Sequence, residues 1–504
     1  MGCLAMIGMQ RLRDELSPIL DLSEDRRVLF AGTFVLVLLG LAVGILKAPP
    51  LLLGVGLAGI AVVAFFFTRP GPALLFLFAF RLELDLLWWL PGKVLSMNLM
   101  ELYTGGVTGL AAVLFVLELR RMDRHPCMPA FIPYLLVLII GGLRNLEVRA
   151  AAEILAKYIN PLLMMFLVSA FVKTREDRRR FAQIIAAVSV IPVLISLHHL
   201  VLGHPSTFML QGYRRLLGGY QNLHNHALMM MAFAALLGWT ALVTRRTRDR
   251  VAIGVIAGVA ALCLYQTYVR TALLALAVFG VVLMWASGRQ RLLLIGGVLG
   301  LVFVSFTPAV QDRFKDLVLF FLPNQNVMSR AKLGSGRMGI WTASIREYLS
   351  YGLGDVVLGL GIGKHYLLTR EAFNPYLSRK GGQVDAHSDY LTMTFQVGPV
   401  ATLSYVVMQL HILRSGFQVF RRSPDPWARQ FAAYTIGMCV AATAANLVSN
   451  AFINRATLGW FFWAMAGLMF GEYSQLRREG RIAPRGPVPQ AAGGVAPSSP
   501  SFSA

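Results

Sequence analysis

Apolar runs of about 20 residues alternate with short polar segments along most of the chain. A helix of ~20 apolar residues crosses the hydrocarbon core of a bilayer. The pattern predicts spans near 28–46, 51–67, 72–90, 101–119, 130–143, 151–172, 181–202, 224–243, 250–267, 270–287 and 291–307. Three more follow near 388–412, 431–450 and 456–473. The count is fourteen. It falls to twelve if the short run at 130–143 and the charged run at 72–90, with Arg81, Glu83 and Asp85, turn back inside the membrane. The expected fold is therefore an all-α polytopic membrane protein of 12–14 transmembrane helices. Its parts are a tail (1–27), a first block of spans (28–307), a large polar loop (308–387), a second block of spans (388–473) and a tail (474–504). Residues 482–504 are rich in Pro, Gly, Ala and Ser, a composition that cannot bury a core.

Composition agrees with this pattern: the 504 residues are 56% hydrophobic and 14% charged. The formal net charge of +22 would suit nucleic acid if it formed one patch. Instead Lys and Arg collect in short connections such as 119–124, 172–180, 244–250, 288–291, 414–429 and 475–481. That is the positive-inside pattern of a membrane protein, and it leaves no case for nucleic acid. With the N-terminus in the cytoplasm, every strongly basic short connection falls inside. Both tails are then cytoplasmic, and the loops 203–223 and 308–387 face outward, to the periplasm. Four scattered cysteines, Cys3, Cys127, Cys263 and Cys439, define neither a metal spacing nor a disulfide framework. A polar, charged start predicts no cleavable signal peptide.

Candidate chemistry gathers on the outward side. Arg214 and Arg215 sit in the loop 203–223, and Arg270 opens a span in YVRTALL. Arginine at membrane depth is expensive and marks a functional site by default. Its planar fork of donors matches phosphate, so several outward arginines suggest a lipid-linked diphosphate. His387 lies where the large loop returns to a helix, flanked by Asp385 and Asp389. Imidazole is the commonest general base near neutral pH, and a nearby carboxylate can orient it. His365 is the competing base. In SGRMGIW (335–341), Ser335 suits an N-cap, Arg337 can bind phosphate, and Trp341 shares a face with Ile345. The run LGLGIG (358–363) lacks the features of a P-loop and reads as a turn permitting close backbone approach. His198, His199, His204, His224 and His226 match no zinc spacing, so no metal is expected. Asn222 and Asn225 suit sugar hydroxyls. The charges at 72–90 also keep open a transporter of lipid-linked sugar or small anions.

These features together resemble the O-antigen ligase and O-antigen polymerase superfamily of bacterial membrane glycosyltransferases. The resemblance rests on YVRTALLAL, SGRMGIW, LGLGIG and HSDYLTMTFQVG, where Leu391, Phe395 and Gly398 follow the histidine. Ser388 stands where the family usually has Asn after the His. The resemblance covers roughly 150–470 and implies a GT-C-like fold with a long periplasmic loop, in the bacterial inner membrane. It further implies a polyprenyl-diphosphate-linked glycan donor and metal-independent transfer with inversion, with no cofactor. The acceptor is a glycan or lipid A–core. Other polysaccharide-assembly proteins are compatible partners. On this resemblance His387 is the general base, and Arg270 with Arg214 or Arg215 binds the diphosphate. Joining repeat units is the expected activity, and ligation to lipid A–core the alternative.

Overall fold

The computed structural model describes residues 63–87, 93–94, 97–122, 124–144, 155–203, 207–210, 213–220, 222–291, 337–362, 386–453 and 456–482. The spans expected near 28–46 and 291–307 and both tails lie outside these residues, apart from 474–482. So do His204, Ser335, His365, Asp385 and most of the large loop.

The first helices are α1 (Pro70–Leu84), α2 (Leu99–Leu117) and α3 (Met128–Leu143). They are followed by α4 (Asn160–Phe171), α5 (Arg175–Val188) and α6 (Val190–Leu202). Next come α7 (Leu223–Val243), α8 (Thr247–Tyr265) and α9 (Arg270–Ala286). Two short helices, α10 (Arg337–Ser350) and α11 (Leu353–Leu358), belong to the large loop. The chain closes with α12 (Asp389–Arg422), α13 (Pro426–Val448) and α14 (Ala456–Arg478). Among the described residues, four helical segments are long and apolar enough to cross a membrane: Arg175–Leu202, Leu223–Val243, Asp389–Arg422 and Pro426–Val448. The molecule is thus a polytopic helical membrane protein.

The core is built around α7 and α14. In α7 every residue from His226 to Leu237 is buried, the mark of a helix surrounded by others rather than amphipathic. α14 packs along α4, where a Cβ on Gly467 would lie 2.6 Å from the carbonyl oxygen of Met165. Only a glycine permits that approach, as is common between membrane helices. Large aromatics fill the remainder, with Trp239 against Phe431 and Tyr434 at 5.4 and 5.2 Å.

Several boundaries differ from the sequence expectation. The basic stretch 175–180 reads as a connection but forms the first turns of α5. Thr174 caps that helix by accepting from the Asp177 N–H at 3.1 Å, and Glu176 and Asp177 suit its positive end. α12 runs ten residues past its expected end at 412, because Arg421 and Arg422 suit the negative end of a helix. Its 34 residues are interrupted at Gly398, and the segment beyond the break, 399–422, measures about 36 Å, still longer than a bilayer core. The loops are not structureless either. Lys93–Val94 (β1) pairs with Met97–Asn98 (β2), and Thr207–Leu210 (β3) pairs antiparallel with Tyr213–Leu216 (β4).

Two of the charges in the 72–90 region, Arg81 and Asp85, also find a structural account. Arg81 pairs with Asp85 at 2.8 Å, both buried. Asp85 Oδ2 accepts from Thr457 Oγ1 at 2.6 Å and Asn225 Nδ2 at 3.3 Å. The Arg81 guanidinium lies 5.9 Å over the Trp460 ring. A charge in an apolar setting is tolerated when paired and hydrogen-bonded, and this one ties α1 to α7 and α14.

Candidate functional site

The sequence after the large loop folds around a break in α12. Gly398 adopts φ 85°, ψ 166°, and Pro399 follows it. Proline offers no N–H to the carbonyl four residues back, so Phe395 O is released from the helix ladder. Leu360 N–H takes it at 2.8 Å, and Gly361 N–H takes the neighbouring Gln396 O at 3.0 Å. Residues 358–362 therefore form a turn docked backbone-to-backbone on the break. A Cβ on Gly359, at φ 78°, would collide with the Gln396 backbone. Arg144 clamps the same turn, donating to Gly359 O at 2.7 Å and pairing with Asp355.

At the other end of the same helical segment, His387 has φ 50° and is exposed, whereas Ala386, Ser388 and Asp389 are buried. The left-handed backbone turns this one side chain out from between three inward neighbours. Such a conformation costs of order 1–3 kcal/mol and collects at functional sites. The neighbours are held firmly. Trp341 Nε1 donates to Ala386 O at 2.6 Å. Ser388 Oγ donates to Asn446 O at 3.3 Å and accepts from Leu391 N–H at 3.4 Å, capping α12. Asp389 Oδ2 accepts from the backbone N–H groups of Ala451 and Ile453 at 2.7 and 3.0 Å. Asn446 Oδ1 accepts from Phe452 N–H at 3.0 Å. Asp389 thus pins the loop 449–453.

Arg337 reaches the same place. It donates to Val448 O, and burial followed by the neighbouring Arg270 charge pushes its pKa down. The two guanidinium groups therefore lie within each other's field. Packing explains why Arg270 is there. α9 and α13 touch where Gly437 meets Phe279, a Cβ at Gly437 lying 3.0 Å from that ring. Arg270 is nine residues before Phe279 and Val448 eleven after Gly437, so antiparallel helices bring both to one level. Arg270 opens α9, at the positive end of the helix dipole, the less favourable end for a cation.

The turn before Arg270 is built to hold it. Thr267 Oγ1 donates to Leu264 O at 2.6 Å and accepts from Val269 N–H at 3.2 Å. Tyr268 has φ 51° and, with His387, is one of two non-glycine residues with positive φ among those described. β4 joins this turn through Leu216 N–H to Gln266 O at 3.2 Å. That fixes the residue beside it, Arg215, which is 7% exposed. Arg214 pairs with Met209 in the hairpin, and Arg215 with Phe208.

Not every expected residue joins this cluster. Asn222 caps α7, its side-chain oxygen accepting from His224 and Asn225 N–H at 2.9 and 3.3 Å. The buried face of α10 is Ile340, Ser344 and Tyr348, while Ile345 is 38% exposed. Trp341 therefore shares no buried face with Ile345 and instead serves Ala386. Asn446, Asp389's grip on 449–453, and the strained Tyr268 were not singled out as a framework. The polar SNAFIN stretch between two apolar runs was the available signal.

The fold thus brings Arg270, Arg337 and the exposed His387 to one end of a helical membrane protein. Residues 255–406 match the family described as O-antigen ligase. Over this segment the chain is similar to that family, which supports a membrane enzyme of polysaccharide assembly. The matched segment contains Arg270, Arg337 and His387 and leaves out Arg214 and Arg215. No curated protein matches the chain.

Proposed function

We propose that this protein is a metal-independent, inverting glycosyltransferase of the bacterial inner membrane. It moves glycan from a polyprenyl-diphosphate carrier to an acceptor hydroxyl on the periplasmic face, and its tails are cytoplasmic. The acceptor oxygen bonds to the anomeric carbon as the bond from that carbon to the diphosphate oxygen breaks. The electron pair leaves on the diphosphate, and the hydroxyl proton passes to His387. Arg270 and Arg337, with Arg214 or Arg215, hold the departing charge. The observation that carries this reading is the approach of Arg337 to Arg270 beside the backbone that positions His387. Like charges held in one another's field form a favourable place for an anion. Fixed donors act where negative charge grows, and a positioned base typically supplies 10²–10⁴-fold.

The acceptor we assign is the lipid-linked glycan of a second repeat unit, so the activity is polymerisation of O-antigen or exopolysaccharide. The family's description as O-antigen ligase favours a second reading, transfer of finished glycan to lipid A–core. The glycan left on the carrier in cells lacking the protein separates them. Single repeat units mean a polymerase and stranded long chains a ligase. If neither accumulates, the transferase reading fails and the transporter reading replaces it.

A further inference from the structure

A second cationic site lies at the far end of α14. Gly471 is fifteen residues beyond Ala456, about 22 Å along the helix from the loop that Asp389 pins. There the ends of α4 and α14 and the turn before α3 enclose a cavity of about 700 Å³. That is within the usual range for a ligand site, ~300–1,000 Å³. Its wall includes Arg124, Lys173, Arg178, Arg477 and Arg478, and no carboxylate lines it among the described residues. Arg178 is already satisfied by Glu472 at 2.8 Å, Lys173 O at 2.7 Å and Gln475. The other four are not ion-paired among the described residues, and Arg124, Lys173 and Arg478 are exposed.

The cavity also holds a buried donor. His125 is 8% exposed and packs edge-on between Phe166 and Phe470, at 4.6 and 4.5 Å. Its Nδ1 accepts from Cys127 N–H at 3.2 Å. Burial, and then the charge of His411, lowers its pKa to about 3. The ring is neutral at physiological pH, and with Nδ1 accepting, its proton sits on Nε2. That buried nitrogen has no hydrogen-bond partner, and a buried donor left unmade costs about 1–3 kcal/mol.

We propose that this cavity binds the phosphate group of an anionic phospholipid, through Arg124, Lys173, Arg477 and Arg478 with His125 as the buried donor. Basic pockets between the ends of membrane helices on the cytoplasmic side take such headgroups, and the orientation proposed above puts the cavity on that side. Free inorganic phosphate shares the chemistry. The place of the cavity, at the ends of apolar helices where headgroups lie, favours the lipid.

The test is thermal unfolding of the purified full-length protein in mixed micelles. Phosphatidylglycerol, phosphatidylcholine and sodium phosphate are each titrated at constant ionic strength. Phosphatidylglycerol is expected to raise the midpoint where phosphatidylcholine does not. The double variant Arg477→Gln/Arg478→Gln should need about 30-fold more of it, from about 1 kcal/mol per basic residue. Arg124→Gln/Lys173→Gln, which alters two exposed side chains, should behave alike and serves if the first variant misfolds. Arg289→Gln, exposed and outside the cavity, should match the wild type. Equal response to both lipids, or wild-type response in the double variants, would overturn the site. Stabilisation by sodium phosphate but not phosphatidylglycerol would overturn the lipid assignment.

Discussion

Arg178 and Arg337 mark opposite ends of the bundle and are handled in opposite ways. Arg178 is 1% exposed and spends its donors on Glu472, two backbone carbonyls and Gln475. Arg175 joins it on Glu472 at 3.1 Å. Among the described residues, Arg337 has one backbone acceptor and a second arginine nearby. A buried charge with full compensation is structural, and removing its partner is costly. A charge held by one carbonyl and pressed by a like charge gains most when an anion arrives. The number of partners among the described residues, rather than the residue type, separates the arginine that builds the fold from the arginine proposed to hold a diphosphate.

That contrast can be broken experimentally at either end. The largest effect is expected from His387→Ala, which should lower transfer by about 10²–10⁴-fold with normal membrane abundance. Activity assayed on matched amounts of folded protein checks it, and near-normal transfer would refute the base. Glu472→Gln should act the other way round. It leaves Arg178 without its counter-charge and should cost roughly 3–5 kcal/mol of stability, read from thermal unfolding, with activity per folded molecule retained. Arg270→Lys and Arg337→Lys should each lose about 10- to 100-fold in activity, the worth of a charge-assisted hydrogen bond of ~1.5–3 kcal/mol. Lysine keeps the charge but not the two-pronged donor, so full activity would reduce these arginines to interfacial anchors. The smallest effect belongs to Asn222→Ala. Loss of the α7 cap should cost about 1 kcal/mol and leave transfer close to wild type. A selective rise in KM for the glycan would instead restore its role as a sugar contact.

Spans were the most legible part of the chain, because bilayer thickness fixes a length that composition alone can reveal. The helices from α7 to α9, α13 and the start of α14 fall within a few residues of the apolar runs. Boundaries failed where charge was read as a stop. The arginines of 175–180 and 421–422 continue helices because they lie where helices leave the apolar zone and capping takes over. The candidate site was legible as residue types. The arginine opening α9 and the histidine before α12 both announce themselves by sitting at helix starts. What could not be read was the framework, since Asp389 contacts residues more than sixty positions away. Sequence proximity suggested that Asp389 serves His387, and it could not show that Oδ2 of the same carboxylate holds the backbone of Ala451 and Ile453. The glycine turn and Gly398 were visible separately. Their meeting, where Pro399 frees one carbonyl and the break frees the next for Leu360 and Gly361, needed the three-dimensional structure.

The most direct test of the proposed site is the glycan on the polyprenyl carrier in cells whose only copy is His387→Ala. The account predicts single repeat units accumulating on the carrier, with the variant present in the membrane at wild-type level. A carrier profile indistinguishable from wild type would contradict it.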